Sequence, residues 1–228
     1  MIKKIVSLGI ACLCGVSVFV FSTDVQAGPC PNKGAPDVVI SLSSNSIDYD
    51  YSKSKNQLKS FKIDTKSPYD QSAHTEVGGL MNGEITVNTN VSFGWATDGI
   101  NKDTCFWYDQ VQVKMHIDPT ILVANEHPEG TCMHSSILEH EMKHIKVDRR
   151  VLQKYKGLLQ SDLKRVTGKV GVIGPVSNSS RDRIRQKMMA VIEKTVSSRT
   201  QAMYAERRRL QQAVDSLSEY KRVASRCP

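Results

Sequence analysis

From Ile137 to Leu159, the residues Ile137, His140, Glu141, His144, Val147, Val151, Tyr155, Leu158 and Leu159 recur at intervals of three and four. Such a stripe fits one face of an α-helix and no β-strand, so this stretch must be a helix laid against a partner. Ser136-Ile137-Leu138-Glu139 has the form of a capping box, and Gly168 is a stop signal, so the spacing predicts a helix over 136–167. A second stripe (Ile184, Met188, Val191, Ile192, Met203, Leu210, Val214 and Leu217) predicts a helix from Arg181 to about Val223. The Gly- and Ser-rich GKVGVIGPVSNSS between them reads as a loop, so the two helices form an antiparallel hairpin.

Upstream the period changes. The segments DVVISLSS, SIDYDYS, GGLMNGEITVNTNVSFGW and FWYDQVQVKMHID alternate or cluster β-formers, with a short helical stretch around KSKNQLKSF and Pro119 as terminator. The expected fold class is α+β: a small antiparallel β-sheet region followed by a long antiparallel helical hairpin. One domain is expected over 28–228, β-rich at 35–118 and helical at 136–223. VQVKMHID could be an edge strand that receives an extended peptide, or ordinary interior sheet. Trp95, Trp107 and Tyr108 could line a pocket or pack in the core.

Residues 1–27 read as a secretory signal: Lys3 and Lys4, an apolar run from Ile5 to Phe21, then Val25-Gln26-Ala27 before cleavage. No later stretch is apolar enough to cross a bilayer, so an exported protein is expected, periplasmic or extracellular. Cys12 and Cys14 would leave with the signal. Cys30, Cys105, Cys132 and Cys227 stay, an even number in an oxidising compartment, and imply two disulfides. Of three connectivities, Cys105–Cys132 with Cys30–Cys227 is the expected one.

The net charge of +8 is uneven: residues 1–140 carry 10 Lys+Arg against 15 Asp+Glu, and 141–228 carry 21 against 8. The basic helical third is either a solvated surface or a face for anionic lipid or cell-wall polymer. Arg207, Arg208 and Arg209 belong to it. Nucleic acid is not an expected partner. No Ser/His/Asp set, phosphate-binding glycine loop or carboxylate pair for sugar cleavage is recognisable.

His140, Glu141 and His144 stand in the spacing H-E-x-x-H within the predicted helix. Histidines four apart lie on one side of a helix, about 6 Å apart along its axis, and can offer one ring nitrogen each to one Zn²⁺. Glu141, rotated about 100° from His140 around the helix, can reach a water held there and act as general base. Lys143 counts against the reading, because the middle residues of such sites are usually uncharged. A catalytic zinc needs a third protein ligand. Asp148 is about 12 Å along the axis from His140 and cannot easily share an ion with both histidines. Counting back from the hairpin favours Glu206, ahead of Glu193, Asp215 and Glu219. His116 and His134 are further candidates.

The order of elements gives a resemblance. A YDYS strand, a leucine-containing segment, a Gly- and Trp-containing strand pair, CFWYDQVQVKM, then LEHEMKHIKVDR and two helices resemble a family of secreted bacterial proteins described as predicted zinc-dependent proteases. The similarity covers roughly 45–165 and implies zinc at His140 and His144, with Glu141 as catalytic base. The expected function is a secreted zinc metallopeptidase acting on peptide or protein. The alternative is a non-enzymatic envelope protein that binds a protein, anionic lipid or cell-wall polymer through its basic hairpin.

Overall fold

The computed structural model describes residues 30–61, 65–66, 77–99 and 102–227. The proposed signal lies outside them. The elements are β1 (Asp37–Ser44), β2 (Asp48–Asp50), α1 (Lys55–Leu58), β3 (Gly79–Thr97), β4 (Thr104–Val123), α2 (Cys132–Val170), β5 (Ile173–Val176), α3 (Arg181–Val214) and α4 (Leu217–Ser225). Helix and sheet are both substantial, as an α+β chain requires.

The sheet is organised by β4, which pairs with all four other strands. A strand has two edges. β3 runs antiparallel along the whole of one, from Gly79 opposite Val123 to Thr97 opposite Thr104. The other edge is therefore shared end to end by β5, β1 and β2, whose partners on β4 are 104–106, 110–117 and 120–122. β1 and β2 run parallel to β4. The sheet is thus mixed, which corrects the expected antiparallel one. Alternation in sequence reports which face is buried and carries no information about the direction of the neighbouring strand.

Two details explain why the strand reading stopped short. Pro119 does not end β4, because it falls between the last β1 partner, Ile117, and the first β2 partner, Thr120. Its missing N–H is therefore not needed by either ladder. Near the other end the register with β3 jumps from Gln110 to Tyr108, leaving Asp109 as a bulge. Phe106 and Tyr108 face the core before it, and Val111, Val113, Met115 and Ile117 after it. VQVKMHID is thus interior sheet with both edges filled, not an edge strand.

The helices cover one face of the sheet. Val147, Val151, Leu152, Leu159 and Leu163 of α2 and Met188, Ile192 and Met203 of α3 share a single core with the inward strand residues. The outer edge of β3 is protected: Arg207 donates to the Gly83 carbonyl at 3.4 Å and Tyr204 to that of Ile85 at 2.7 Å. On the far face, Leu58 of α1, capped by Ser54 and Gln57, closes a smaller cluster with Leu122 and Ala124.

The helix limits differ from those expected. Thr131 caps α2, its hydroxyl accepting from the His134 N–H, so the helix starts one turn before Ser136. It passes through Gly168 and ends at Gly171, whose φ of 56° suits glycine. The second helix does not run unbroken to Val223. α3 ends at Val214, and Ser216 caps the separate α4 by accepting from the Glu219 N–H.

The disulfides are Cys30–Cys105 and Cys132–Cys227. The expected Cys105–Cys132 and Cys30–Cys227 pairs are therefore wrong, and β4 is the reason. Cys105 opens that strand and Cys132 follows its far end, about 60 Å along the extended chain, whereas bridged Cα atoms lie within about 7 Å. Because β1 runs parallel to β4, Cys30 arrives beside Cys105. α4 returns Cys227 to the start of α2.

Candidate metal centre

α2 and α3 zip together in steps of four. His140 faces Asp215, His144 faces Gln211 and Asp148 faces Arg207, so each turn forward on α2 meets one turn back on α3. The break after Val214 places Asp215 at the end of α3, with α4 turning back over His140. All four groups at the centre are buried: His140 and His144 at 7% exposure, Glu141 and Asp215 at 5%.

His140 Nε2 and His144 Nε2 each lie 3.2 Å from the same oxygen, Asp215 Oδ1. What stands behind each ring decides which nitrogen carries hydrogen. His140 Nδ1 faces Glu219 Oε1 at 3.3 Å, a carboxylate that can only accept. Nδ1 of His140 therefore carries hydrogen, whether the ring is charged or Nε2 gives its lone pair to a cation.

For His144 the argument runs through three residues. Arg207 donates to both Asp148 oxygens at 2.7 and 3.0 Å, keeping Asp148 an acceptor. Gln211 gives its amide nitrogen to Asp148 Oδ1 at 2.7 Å, so its carbonyl oxygen must face His144 Nδ1, 2.5 Å away. That makes Nδ1 of His144 a donor too. Both Nε2 atoms thus face one carboxylate oxygen, either as N–H donors to it or as lone pairs that share a cation with it. The space between them calls for a cation or protons. His140, His144 and Asp215 offer ligand atoms all within 4.8 Å of one another and could hold a metal ion.

Titration reflects the same convergence. Burial alone would lower the pKa of both histidines, but the Asp215 hydrogen bond and the charge of Glu141 outweigh it and raise both. Burial opposes ionisation of Asp215, yet its hydrogen bonds from the two histidines hold it well below the usual carboxylate range. Thr65 also donates to Asp215. Glu219 is held low chiefly by Arg222, then by Lys143 at 2.6 Å. The charge of Lys143 inside the motif is thus consumed by the carboxylate that orients His140.

Glu141 projects from the same turn toward β3, where the Met81 N–H meets its carboxylate. Burial raises its pKa above the ordinary value. Gly79 permits this approach: a Cβ there would stand 2.3 Å from Ile137 Cγ2 and 3.1 Å from Glu141 Oε1.

The structure thus brings His140, Glu141 and His144 together and supplies Asp215 as third ligand candidate. The favoured Glu206 is displaced from the centre, held by Lys154 and the Tyr155 hydroxyl at 2.7 and 3.0 Å. Asp148 and Glu219 stand behind the histidines. His116 bonds Ser43 on β1, His134 the His127 carbonyl, and Glu193 is exposed. The helix-end signal at Asp215-Ser216 was legible: Ser216-Leu217-Ser218-Glu219 has the same S-x-x-E form as Ser136–Glu139.

The other sequence candidates do not form a site. Tyr108 is core, its hydroxyl bonded to the Met188 carbonyl and its pKa pushed up to about 12 by burial. Trp95 is 59% exposed, and Trp107 lies against Gly94. Of the three consecutive arginines, Arg207 is buried in the Asp148 pair, so only Arg208 and Arg209 face solvent. The chain matched no protein-family model, no curated protein and no solved structure.

Proposed function

We propose that this chain is an exported zinc-dependent metallopeptidase. The observation that carries the reading is the convergence of two histidine Nε2 atoms on one oxygen of Asp215, beside a buried Glu141. A donor set of two imidazoles and one carboxylate is the chemistry zinc takes in hydrolytic sites and leaves a position open for water. Zinc bound there supplies Lewis acidity, lowering the pKa of a water and polarising a carbonyl.

The protein's own residues do the rest. Glu141 accepts a proton as the water oxygen bonds to the peptide carbonyl carbon and the carbonyl π pair moves onto oxygen. When the C–N bond breaks, Glu141 returns that proton to the departing amine, so the carboxylate ends as it began. Burial, which raises its pKa, suits it to both roles. Glu219 and Gln211 keep both imidazoles presenting Nε2.

Two disulfides fit an oxidising compartment, and no described helix is long and apolar enough to cross a membrane. The test is metal analysis of the purified protein with Glu141→Gln alongside. One equivalent of zinc in both, with hydrolysis lost by at least 100-fold in the variant, supports the reading. Absence of zinc, or unchanged turnover in Glu141→Gln, overturns it.

A further inference from the structure

We propose that Tyr220 is a second catalytic residue of this centre, its phenol donating a hydrogen bond to the oxygen that gains negative charge as water adds to the scissile carbonyl. This rests on the hydrolytic reading above and adds a role that reading leaves unfilled.

The placement comes from α4. Consecutive helical residues point about 100° apart, so Glu219 and Tyr220 cannot address the same side of His140. Glu219 takes the Nδ1 side, behind the ring. Tyr220 takes the other: its hydroxyl donates a long hydrogen bond of 3.4 Å to Asp215 Oδ1, the oxygen faced by both Nε2 atoms, and its ring stands edge-on to His140 at 5.6 Å. The hydroxyl therefore sits where the ligand atoms converge.

Tyr220 differs from the core tyrosines. Tyr108, Tyr155 and Tyr204 belong to the main apolar core and Tyr51 packs on the second cluster. Tyr220 is half-buried and belongs to none of the three clusters. Its hydroxyl and its ring both meet the centre, at Asp215 and His140.

The chemistry needs such a donor. A developing oxyanion is stabilised by preorganised O–H or N–H groups, and losing one costs about 100- to 1000-fold in turnover. The nearby cations are already committed: Lys143 and Arg222 to Glu219, and Arg207 to Asp148. A phenol donates without adding charge to a site that already balances two histidines, two carboxylates and an ion. Base and donor also arrive from different elements, Glu141 from α2 beside β3 and Tyr220 from α4. Both can therefore act on one carbonyl.

The experiment compares zinc-loaded wild type with Tyr220→Phe. It uses a mixed fluorogenic peptide library and, by calorimetry, a phosphinic peptide whose tetrahedral anion mimics the water adduct. Expected is retained zinc, kcat lower by about 100-fold with KM within a few-fold, and phosphinate affinity reduced by a similar factor. Unchanged kcat and phosphinate affinity overturn the role. So does loss of zinc in Tyr220→Phe, because Tyr220 then merely holds Asp215. A wild type that neither hydrolyses peptide nor binds the phosphinate overturns the hydrolytic reading first, and the Tyr220 role with it. Active wild type matched by Tyr220→Phe overturns the Tyr220 role alone.

Discussion

Asp148 lies two turns beyond His140 on α2, and its fully buried carboxylate is gripped by Arg207 instead of turning back toward the histidines. The pair costs desolvation on both sides, and its value depends on both partners being present. Asp148→Ala removes the counter-charge of the buried Arg207 guanidinium and one of the two acceptors of the Gln211 amide. The expected loss is about 3–5 kcal/mol, read from denaturant midpoints. Replacing both Asp148 and Arg207 by leucine should recover most of that stability. Zinc affinity should be lower than wild type in the double variant, because Gln211 then keeps only the His144 carbonyl to set its orientation.

Gln211 is the link through which that ion pair reaches the centre. With leucine at 211, His144 Nδ1–H has no acceptor and the ring can turn or change tautomer. Partners of this kind typically alter metal affinity by about 10–100-fold. Gln211→Leu should therefore bind zinc about 10–100-fold more weakly in chelator competition, with helix content retained. Equal affinity would mean that the amide does not set the tautomer.

What the sequence could and could not disclose follows from the range of each signal. The α2 stripe is local, so the helix, its buried face and the His140–Glu141–His144 arrangement were readable from spacing alone. Sheet direction was not, because alternation does not report it, and disulfide pairing was not, because it depends on how far β4 runs, which Pro119 concealed. The third ligand was missed through a register error. The hairpin count pairs residue 142 with 206, whereas the observed rungs join His140 to Asp215 and His144 to Gln211. α2 extends to Val170 and the two helices are not level at the loop, which together shift the register by about two turns. The S-x-x-E cap at Ser216 would have marked Asp215 as a helix end.

Asp162 supplies a pH test away from the centre. Burial opposes its ionisation, but hydrogen bonds from Arg165 and from Arg199 on α3 outweigh this and lower its pKa below the ordinary 3.8. A carboxylate with a depressed folded pKa contributes stability at pH values above its unfolded pKa, and loses it as pH falls through the folded one. Asp162→Asn should therefore be less stable than wild type at pH 7. The difference should shrink below about pH 4, in thermal melts recorded across that range. A gap that persists undiminished at pH 2 would assign the effect to packing instead.

The bridge between Cys132 and Cys227 ties the chain just past α4 to the first turn of α2. None of the α4 residues is fully buried. Besides the Glu219 contacts with His140 and Lys143 and the packing of Val223 on the second cluster, its ties to α2 are the Ser136 hydroxyl to the Val223 carbonyl and the exposed ion pairs of Glu139 with Arg222 and Arg226. Exposed pairs of this kind contribute about 0–1 kcal/mol each. The bridge spans 95 residues, and restricting a loop of that length in the unfolded chain is worth about 4–5 kcal/mol. Cys30–Cys105 spans 75 residues and should be worth nearly as much, but it fastens the chain ahead of β1 to the start of β4, away from the histidines. Removing either bridge by paired Cys→Ser changes should lower the melting temperature to a similar extent. Only loss of Cys132–Cys227 should also free α4, and with it Glu219 behind His140. Zinc affinity should then fall in that variant and hold in the Cys30/Cys105 one. Equal zinc affinity in the two would show that α4 stays docked without its bridge.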